Sequence, residues 1–254
     1  MAEYAVLMEK EGRVHILEIV DEMAKHKGLG VLNTALLLTD VDFGDEVLVG
    51  QKYLTRMPPG LPELIAGMAR RAQTISSKDA GVFISRLGIG SGDTVLEAGL
   101  GSGGLSLHLA KVLGNSGHLV TAEPRSEHAD VGLLNLTRAR ECFAEFPQHT
   151  HLEGMLEDVV PDMEFGAVIL DMPVHSPAII ACAPKLAFGG RLACYAPTTS
   201  QLEKCWRSCE EAGLTVEWAG ELMERQWGVT SKGGMRPVNG PFGHTAFLLF
   251  AQKK

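Results

Sequence analysis

From residue 94 onward, short apolar runs alternate with longer stretches of helical periodicity. This pattern predicts strands at 94–98, 118–123, 150–153, 167–171, 191–196, 215–221 and 244–251, with helices at 105–113, 127–146, 176–187 and 200–212. Parallel strands need crossovers and helices are the usual ones, so the first five units predict a Rossmann-like α/β sheet with helices on both faces. The last two strands have no helix between them. The Gly- and Pro-containing loop 226–242 joins them, which predicts an antiparallel pair at one sheet edge. Two more helices are expected between about Leu61 and Leu87. Residues 1–56 read as short alternating strands (4–8, 13–19 and 46–49) broken by Gly12, Gly28, Gly30 and Gly44. Met57-Pro58-Pro59-Gly60-Leu61-Pro62 suits neither regular ladder nor helix, so it divides a small β-rich N-terminal domain (1–60) from the main domain (61–254).

Composition narrows the class. The 254 residues are 45% hydrophobic and 21% charged, which excludes a disordered chain or a disulfide miniprotein. No apolar run approaches the roughly 18 residues of a membrane span, and no basic stretch leads into an apolar block at the start, so a cytoplasmic, non-membrane protein is expected. Five scattered cysteines (Cys142, Cys182, Cys194, Cys205, Cys209) lack any Cys-x-x-Cys. Cys205 and Cys209 share a helical face, but two ligands do not complete a metal site, and none is predicted. The net charge of −8 counts against a nucleic-acid partner.

The chemistry concentrates in Val95-Leu96-Glu97-Ala98-Gly99-Leu100-Gly101-Ser102-Gly103-Gly104, a strand running through glycines into a helix. Gly99, Gly101 and Gly104 satisfy the dinucleotide fingerprint, and Glu123 stands where a ribose-binding acid is expected. Glu97 shifts that reading. A carboxylate beside the loop opposes a pyrophosphate but favours the cationic sulfonium and ammonium of S-adenosylmethionine, which becomes the preferred cofactor. A dinucleotide site and a purely structural turn remain the other readings. Glu123 at a strand end suits two ribose hydroxyls, its alternative being a solvated acid. Asp171 closes Val168-Ile169-Leu170-Asp171-Met172-Pro173 at the carboxyl edge of the sheet, where open α/β folds bind ligands, its alternative being a helix cap.

Taken together, Arg70-Arg71-Ala72-Gln73-Thr74-Ile75-Ser76-Ser77-Lys78-Asp79, the glycine loop, Glu123-Pro124-Arg125, Leu170-Asp171-Met172-Pro173, Arg236-Pro237 and Gly243-His244-Thr245-Ala246-Phe247-Leu248 resemble the tRNA (adenine-N1)-methyltransferase family that acts in the T-loop. The resemblance spans residues 66–251. It implies that Gln73 lies against the cofactor, that Ser102, Gly103, Gly104 and Leu105 surround its methionine end, and that Glu123 binds its ribose. It also implies that His128 and the segment Met155-Leu156-Glu157 flank the adenosine, and that Asp171 faces the target adenine. A homotetramer is implied, with adenine 58 and in some archaeal members adenine 57 as targets. The chain departs from the family pattern at Ser77, Met155, Val174-His175-Ser176-Pro177 and Thr198, positions that bear on the clamping and choice of base.

Alkylation of adenine N1 builds positive charge shared with the exocyclic amine, so Asp171 is the expected catalytic carboxylate, stabilising that charge. A T-loop base must be extruded, and Tyr195 and His244 are candidate stacking or backbone contacts; each has a bland alternative, core for Tyr195 and strand opening for His244. Arg236 belongs to segment 221–254, where five basic residues face two acids, against six basic residues and ten acids in 1–60, so an acidic chain can present a basic rim to tRNA. The competing readings are an S-adenosylmethionine enzyme for small molecules or proteins, a noncatalytic tRNA-binding subunit, which the intact glycine loop and Asp171 disfavour, and a dehydrogenase.

Overall fold

A computed structural model of the chain describes residues 4–230, 233–238 and 244–254. Lys232, Phe242 and Gly243, which figure in the basic segment, the loop and the C-terminal motif, lie outside the described residues.

The N-terminal part comprises β1 (Tyr4–Glu9), β2 (Val14–Glu18), β3 (Ala24–His26), β4 (Gly30–Leu32), α1 (Thr34–Leu37), β5 (Glu46–Val49) and β6 (Lys52–Met57). Strands β2-β1-β6-β5 form one antiparallel sheet and β3-β4 a separate hairpin. Alternation sends Ala5, Leu7, Leu17, Val49 and Leu54 into a small core of its own. Asn33 caps α1 by accepting from the Leu36 N–H.

The main part runs α2 (Leu61–Gly67), α3 (Ser77–Leu87), β7 (Thr94–Ala98), α4 (Gly104–Leu113), β8 (His118–Glu123), α5 (Ser126–Cys142), β9 (Gln148–Glu153), α6 (Leu156–Val159), β10 (Phe165–Leu170), α7 (Ser176–Cys182), a 3₁₀ turn (Ala183–Lys185), β11 (Leu186–Ala196), α8 (Thr199–Glu211), β12 (Leu214–Gly220), β13 (Trp227–Val229), β14 (Met235–Pro237) and β15 (Phe247–Lys253). Seven strands in the order β12-β15-β11-β10-β7-β8-β9 make the central sheet. β11, β10, β7, β8 and β9 are parallel, and β15 runs antiparallel to both β11 and β12. The expected parallel sheet with a terminal antiparallel pair is the observed one.

Period-two alternation divides the core between the two faces. Ala167 and Ile169 of β10 and Ala193 and Tyr195 of β11 join Phe83, Leu105 and Leu136 on one side. Val168, Leu170, Leu192 and Cys194 join Ile179, Cys205 and Leu156 on the other.

Several boundaries move for local reasons. The helix expected to reach Phe146 ends at Cys142, because Phe143 turns extended and is buried, and Pro147 disfavours helix just before it. The helix expected to reach Ala187 stops at Cys182, since Pro184 cannot continue the bonding and a 3₁₀ turn leads straight into a longer β11. The last strand starts at Phe247, leaving His244 outside it. The 226–242 loop carries the β13-β14 hairpin.

Successive crossovers leave β7 in opposite directions, through β8 to β9 on one side and through β10 to β11 on the other. The β7/β10 boundary is thus the switch point where such sheets place ligands. Behind it, buried Asn135 of α5 accepts from the Ala69 N–H at 3.0 Å and donates to the carbonyls of Ala69 and Ser102 at 2.8 and 2.9 Å. One amide thereby ties the segment between α2 and α3 to the glycine loop. Asn135→Ala strands these buried groups and is expected to cost about 1–3 kcal/mol, read as a lower urea midpoint with unchanged slope.

Candidate functional site

The glycine loop leaves β7 at the switch point and is tied to the end of β10. Gly99 N–H donates to the Asp171 carbonyl at 2.9 Å, and the Asp171 N–H donates back to the Ala98 carbonyl. Each glycine has a different duty. Gly103 caps α4 at φ 77°, and a Cβ there would meet the Gly132 carbonyl oxygen at 3.2 Å and its Cα at 3.3 Å. A Cβ on Gly104 would lie 2.8 Å from Thr74 Cβ, so that glycine admits the segment carrying Gln73 and Thr74.

Two cavities meet at this junction. One, of about 320 Å³, is lined by Gln73, Glu97, Gly99, Gly101, Ser102, Gly104, Leu105 and Asp171, with Arg125, Met172, Pro173 and Gln201 also on its wall. The other, of about 200 Å³, lies over the ends of β8 and β9 against Glu123, Arg125, Met155, Leu156 and Val174, and shares Gly99, Asp171, Met172 and Pro173 with the first.

The three acids at the strand ends have different environments. Glu97 is buried with its Oε2 accepting from Ser106 Oγ at 2.6 Å; burial pushes its pKa up to about 8, the Ser106 bond opposing and Asp171 adding to the rise. The carboxyl read from sequence as a standing negative charge therefore favours its protonated form at neutral pH. Asp171 is partly open to the cavities but enclosed elsewhere. Burial raises it to about 6, His175 and Arg125 opposing and Glu123 reinforcing. Glu123 behaves oppositely. Burial would raise it, but Arg125 Nε at 2.8 Å, the Gly101 N–H at 3.0 Å and the Arg125 N–H hold it below the ordinary carboxylate range.

Most expected cofactor-side residues converge here: Gln73, Glu97, Gly99, Gly101, Ser102, Gly104, Leu105 and Asp171 on the first cavity, Glu123 and Leu156 on the second. Ser102 is spoken for, since its Oγ accepts from the Arg71 and Ala72 N–H groups at 3.0 Å each and donates to the Ala72 carbonyl. Five of the expected site residues lie off the two cavities. Gly103 packs on α5 and lines neither cavity. His128 sits on the first turn of α5, also away from both. Tyr195 is 8% exposed, with its ring 6.4 Å from Phe83, because alternation along β11 turns it into the core. Its reading as a base-stacking contact is corrected accordingly. Arg236 lies exposed on β14, and His244 pairs with Glu221 at 2.6 Å with its ring tilted against Phe247 at 4.5 Å; neither lines the cavities.

Sequence reasoning missed Arg125 and Gln201. Arg125 stood in the quoted motif but signals nothing until its guanidinium is seen clamping Glu123 between the cavities. Gln201 completes the capping box of α8 with Thr198 and donates to the Pro173 carbonyl at 3.2 Å, bracing the turn after Asp171. Lys78 has a comparable part outside the cavities. Its ammonium pairs with buried Asp79 at 2.8 Å and donates to the Leu222 carbonyl and Thr245 Oγ1.

Residues 52–233 match the family described as tRNA methyltransferase complex GCD14 subunit. The chain is 26% identical over 278 residues to the tRNA (adenine(57)-N(1)/adenine(58)-N(1))-methyltransferase TrmI of Methanocaldococcus jannaschii, covering 99% of this chain and 95% of that one. It is 31% identical over 196 residues to the tRNA (adenine(58)-N(1))-methyltransferase TrmI of Thermus thermophilus, covering 75% and 73%. Among solved structures, a SAM-dependent O-methyltransferase of Thermotoga maritima superposes with a TM-score of 0.79 at 24% identity, covering 99% of this chain and 92% of that one. The tRNA (m1A58) methyltransferase TrmI of Aquifex aeolicus gives 0.74 at 22%, covering 99% and 97%. The fold is that of S-adenosylmethionine-dependent methyltransferases.

A folded-state pKa of about 8 at Glu97 against 4.5 ordinarily means that the folded chain binds the extra proton between those values. This contribution to stability is full below about pH 4.5, falls as pH rises, and levels off above about pH 8. Glu97→Gln keeps an acceptor for Ser106 without the ionisation. Its melting temperature is expected to exceed that of the parent by several degrees at pH 8, the gap closing toward pH 4.5 in a thermal-melt series.

Proposed function

The chain belongs to the tRNA methyltransferase complex GCD14 subunit family, and from that premise we propose that it transfers a methyl group from S-adenosylmethionine to N1 of adenine in the T-loop of tRNA. The target is position 58, with 57 as a second target in the manner of the archaeal relative's name. The observation that carries the reading is the placing of Asp171, bonded to the glycine loop through its backbone and shared by two adjoining cavities.

The residues fit the cofactor. Glu97, Glu123 and Asp171 offer carboxyl groups around a cradle of glycines, a donor set suited to a cation with ribose hydroxyls and hostile to a pyrophosphate. When bound, S-adenosylmethionine supplies an electrophilic methyl group on a sulfonium. Gln73 and the 101–105 loop would hold the methionine end, Glu123 the ribose, and Leu156 with Met155 the adenine. Gly103 shapes that loop where it packs against Gly132 of α5, and His128 at the start of α5 is proposed to flank the adenosine.

Asp171 is the residue we assign to the reaction. An ionised carboxylate at the adenine's exocyclic amine stabilises the positive charge that spreads there as N1 is alkylated, and it can take up the proton that amine then gives up. Its pKa of about 6 leaves it charged at neutral pH and close enough to neutrality to accept a proton. Arg236 and His244, exposed in the basic C-terminal segment, are proposed contacts to the tRNA backbone rather than to the flipped base. The small N-terminal unit (1–60) and the catalytic unit (61–254) are proposed to assemble as a homo-oligomer, a tetramer by family likeness. Exposed apolar Leu36, Phe43, Leu48 and Tyr53 on the small unit support that assembly. Among the described residues no helix is long and apolar enough to cross a membrane.

Unmodified tRNA transcripts incubated with labelled cofactor are expected to yield 1-methyladenosine in nucleoside analysis; transfer only to free small molecules or proteins would overturn the assignment. In single-turnover assays Asp171→Asn is expected to lower the rate by about 10²-fold or more with little change in tRNA affinity. The parent's rate should fall as pH drops below about 6. Cofactor binding should favour ionised Glu97, so affinity measured calorimetrically should rise with pH up to about 8 and then level off, with proton release on binding below that point.

A further inference from the structure

Behind the turn that carries Asp171, on the side of the sheet covered by α7 and α8, a histidine and three cysteines come together from three separate segments. His175 closes the turn just before α7, Cys194 lies on β11, and Cys205 lies on α8; their ligating atoms are all within 4.8 Å of one another. Cys209 follows one helical turn after Cys205 and is buried in the same core cluster as Cys194. The three cysteines have no measurable exposure and His175 only 4%. None of the cysteines is in a disulfide.

Sequence spacing showed only the Cys205/Cys209 pair, which is half a site. Folding supplies the other half, since the alternation that turns Tyr195 toward Phe83 turns Cys194 toward α8. We propose that His175, Cys194, Cys205 and Cys209 form a binding site for a thiophilic divalent metal ion of zinc's size, which staples the turn after Asp171 to β11 and α8.

The donor set selects the metal. It has no carboxylate or carbonyl oxygen for magnesium or calcium, whereas three sulfurs and an imidazole are a common set for tetrahedral structural zinc. Zinc–sulfur bonds of about 2.3 Å imply ligand–ligand edges of about 3.8 Å. The 4.8 Å limit among His175, Cys194 and Cys205 leaves side-chain adjustments to close those three corners, and Cys209, one turn along α8, is brought in as the fourth. The imidazole is oriented from outside, its Nε2 lying 3.1 Å from the Tyr195 carbonyl. In the tautomer that donates this bond, Nδ1 keeps the lone pair that a metal needs, the arrangement by which ligating histidines are held in place. Binding replaces up to three thiol protons, so up to three protons are released per ion.

The site's place gives it a positioning role. Met172 and Pro173, between Asp171 and His175, line both cavities. The proposal does not rest on the methyl-transfer reading, and its test reads metal directly. The full chain, unfolded under reductant and chelator and refolded with cobalt(II), is expected to take up one ion per chain. It should show an intense near-ultraviolet thiolate-to-cobalt charge-transfer band and the visible bands of tetrahedral coordination, which zinc then abolishes. Cys194→Ser and Cys205→Ser should each weaken binding by about 100-fold or more, whereas Cys142→Ser and Cys182→Ser should leave it unchanged. The wild-type spectrum alone decides if a serine variant fails to fold. Native circular dichroism without stoichiometric cobalt, a disulfide found among these cysteines in its place, or binding that survives in folded Cys194→Ser and Cys205→Ser, would each overturn the proposal.

Discussion

The backbone exchange between β7 and β10, with Gly99 donating to the Asp171 carbonyl and Asp171 to Ala98, is the constraint on which the site depends. Two parallel strands end side by side at the point where the crossovers reverse direction. The bonds continue past the regular ladder into the first residues of both loops. The glycine loop and the acid are thereby held as one object, and residues that are 72 positions apart in number share both cavities. The remaining machinery is built onto that object. Asn135 and Ser102 brace it from behind, Gln201 braces the turn after it, and Arg125 clamps Glu123 beside it.

Three carboxyl groups around two adjoining cavities would repel one another if all were ionised. The surroundings separate them instead. Glu97, with one hydroxyl donor and no cation, keeps its proton; Glu123, with a guanidinium and backbone N–H donors, gives its proton up; Asp171 stands between. Kept apart in this way, the three acids avoid the mutual repulsion that three ionised carboxylates at one sheet edge would carry.

Much of this was legible in the sequence, because the elements that matter are local. The Glu97 to Leu105 run shows strand, turn and helix start in one stretch, and acids at the ends of apolar runs mark the carboxyl edge of the sheet. What was not legible depends on partners far along the chain. Gly103 looks like its neighbouring glycines until Gly132 is seen against it. Tyr195 and Cys194 are adjacent residues with opposite destinations, set by the register of β11 between β10 and β15. Glu97 reads as a charge in any sequence, and only its enclosure beside Ser106 makes it neutral. His175 and the cysteines have no common motif, since their proximity is created by the packing of α8 on the sheet.

The Lys78 ammonium binds the Leu222 carbonyl and the Thr245 hydroxyl together, so the chain between them departs from and returns to a single fixed point on α3. A segment pinned at both ends pays for its closure once. Doubling its length adds only about 0.6 kcal/mol of loop entropy. This stretch, which holds the β13-β14 hairpin and much of the C-terminal positive charge, can therefore gain or lose residues over evolutionary time without disturbing the sheet. Such changes leave the junction of β7 and β10 as it is.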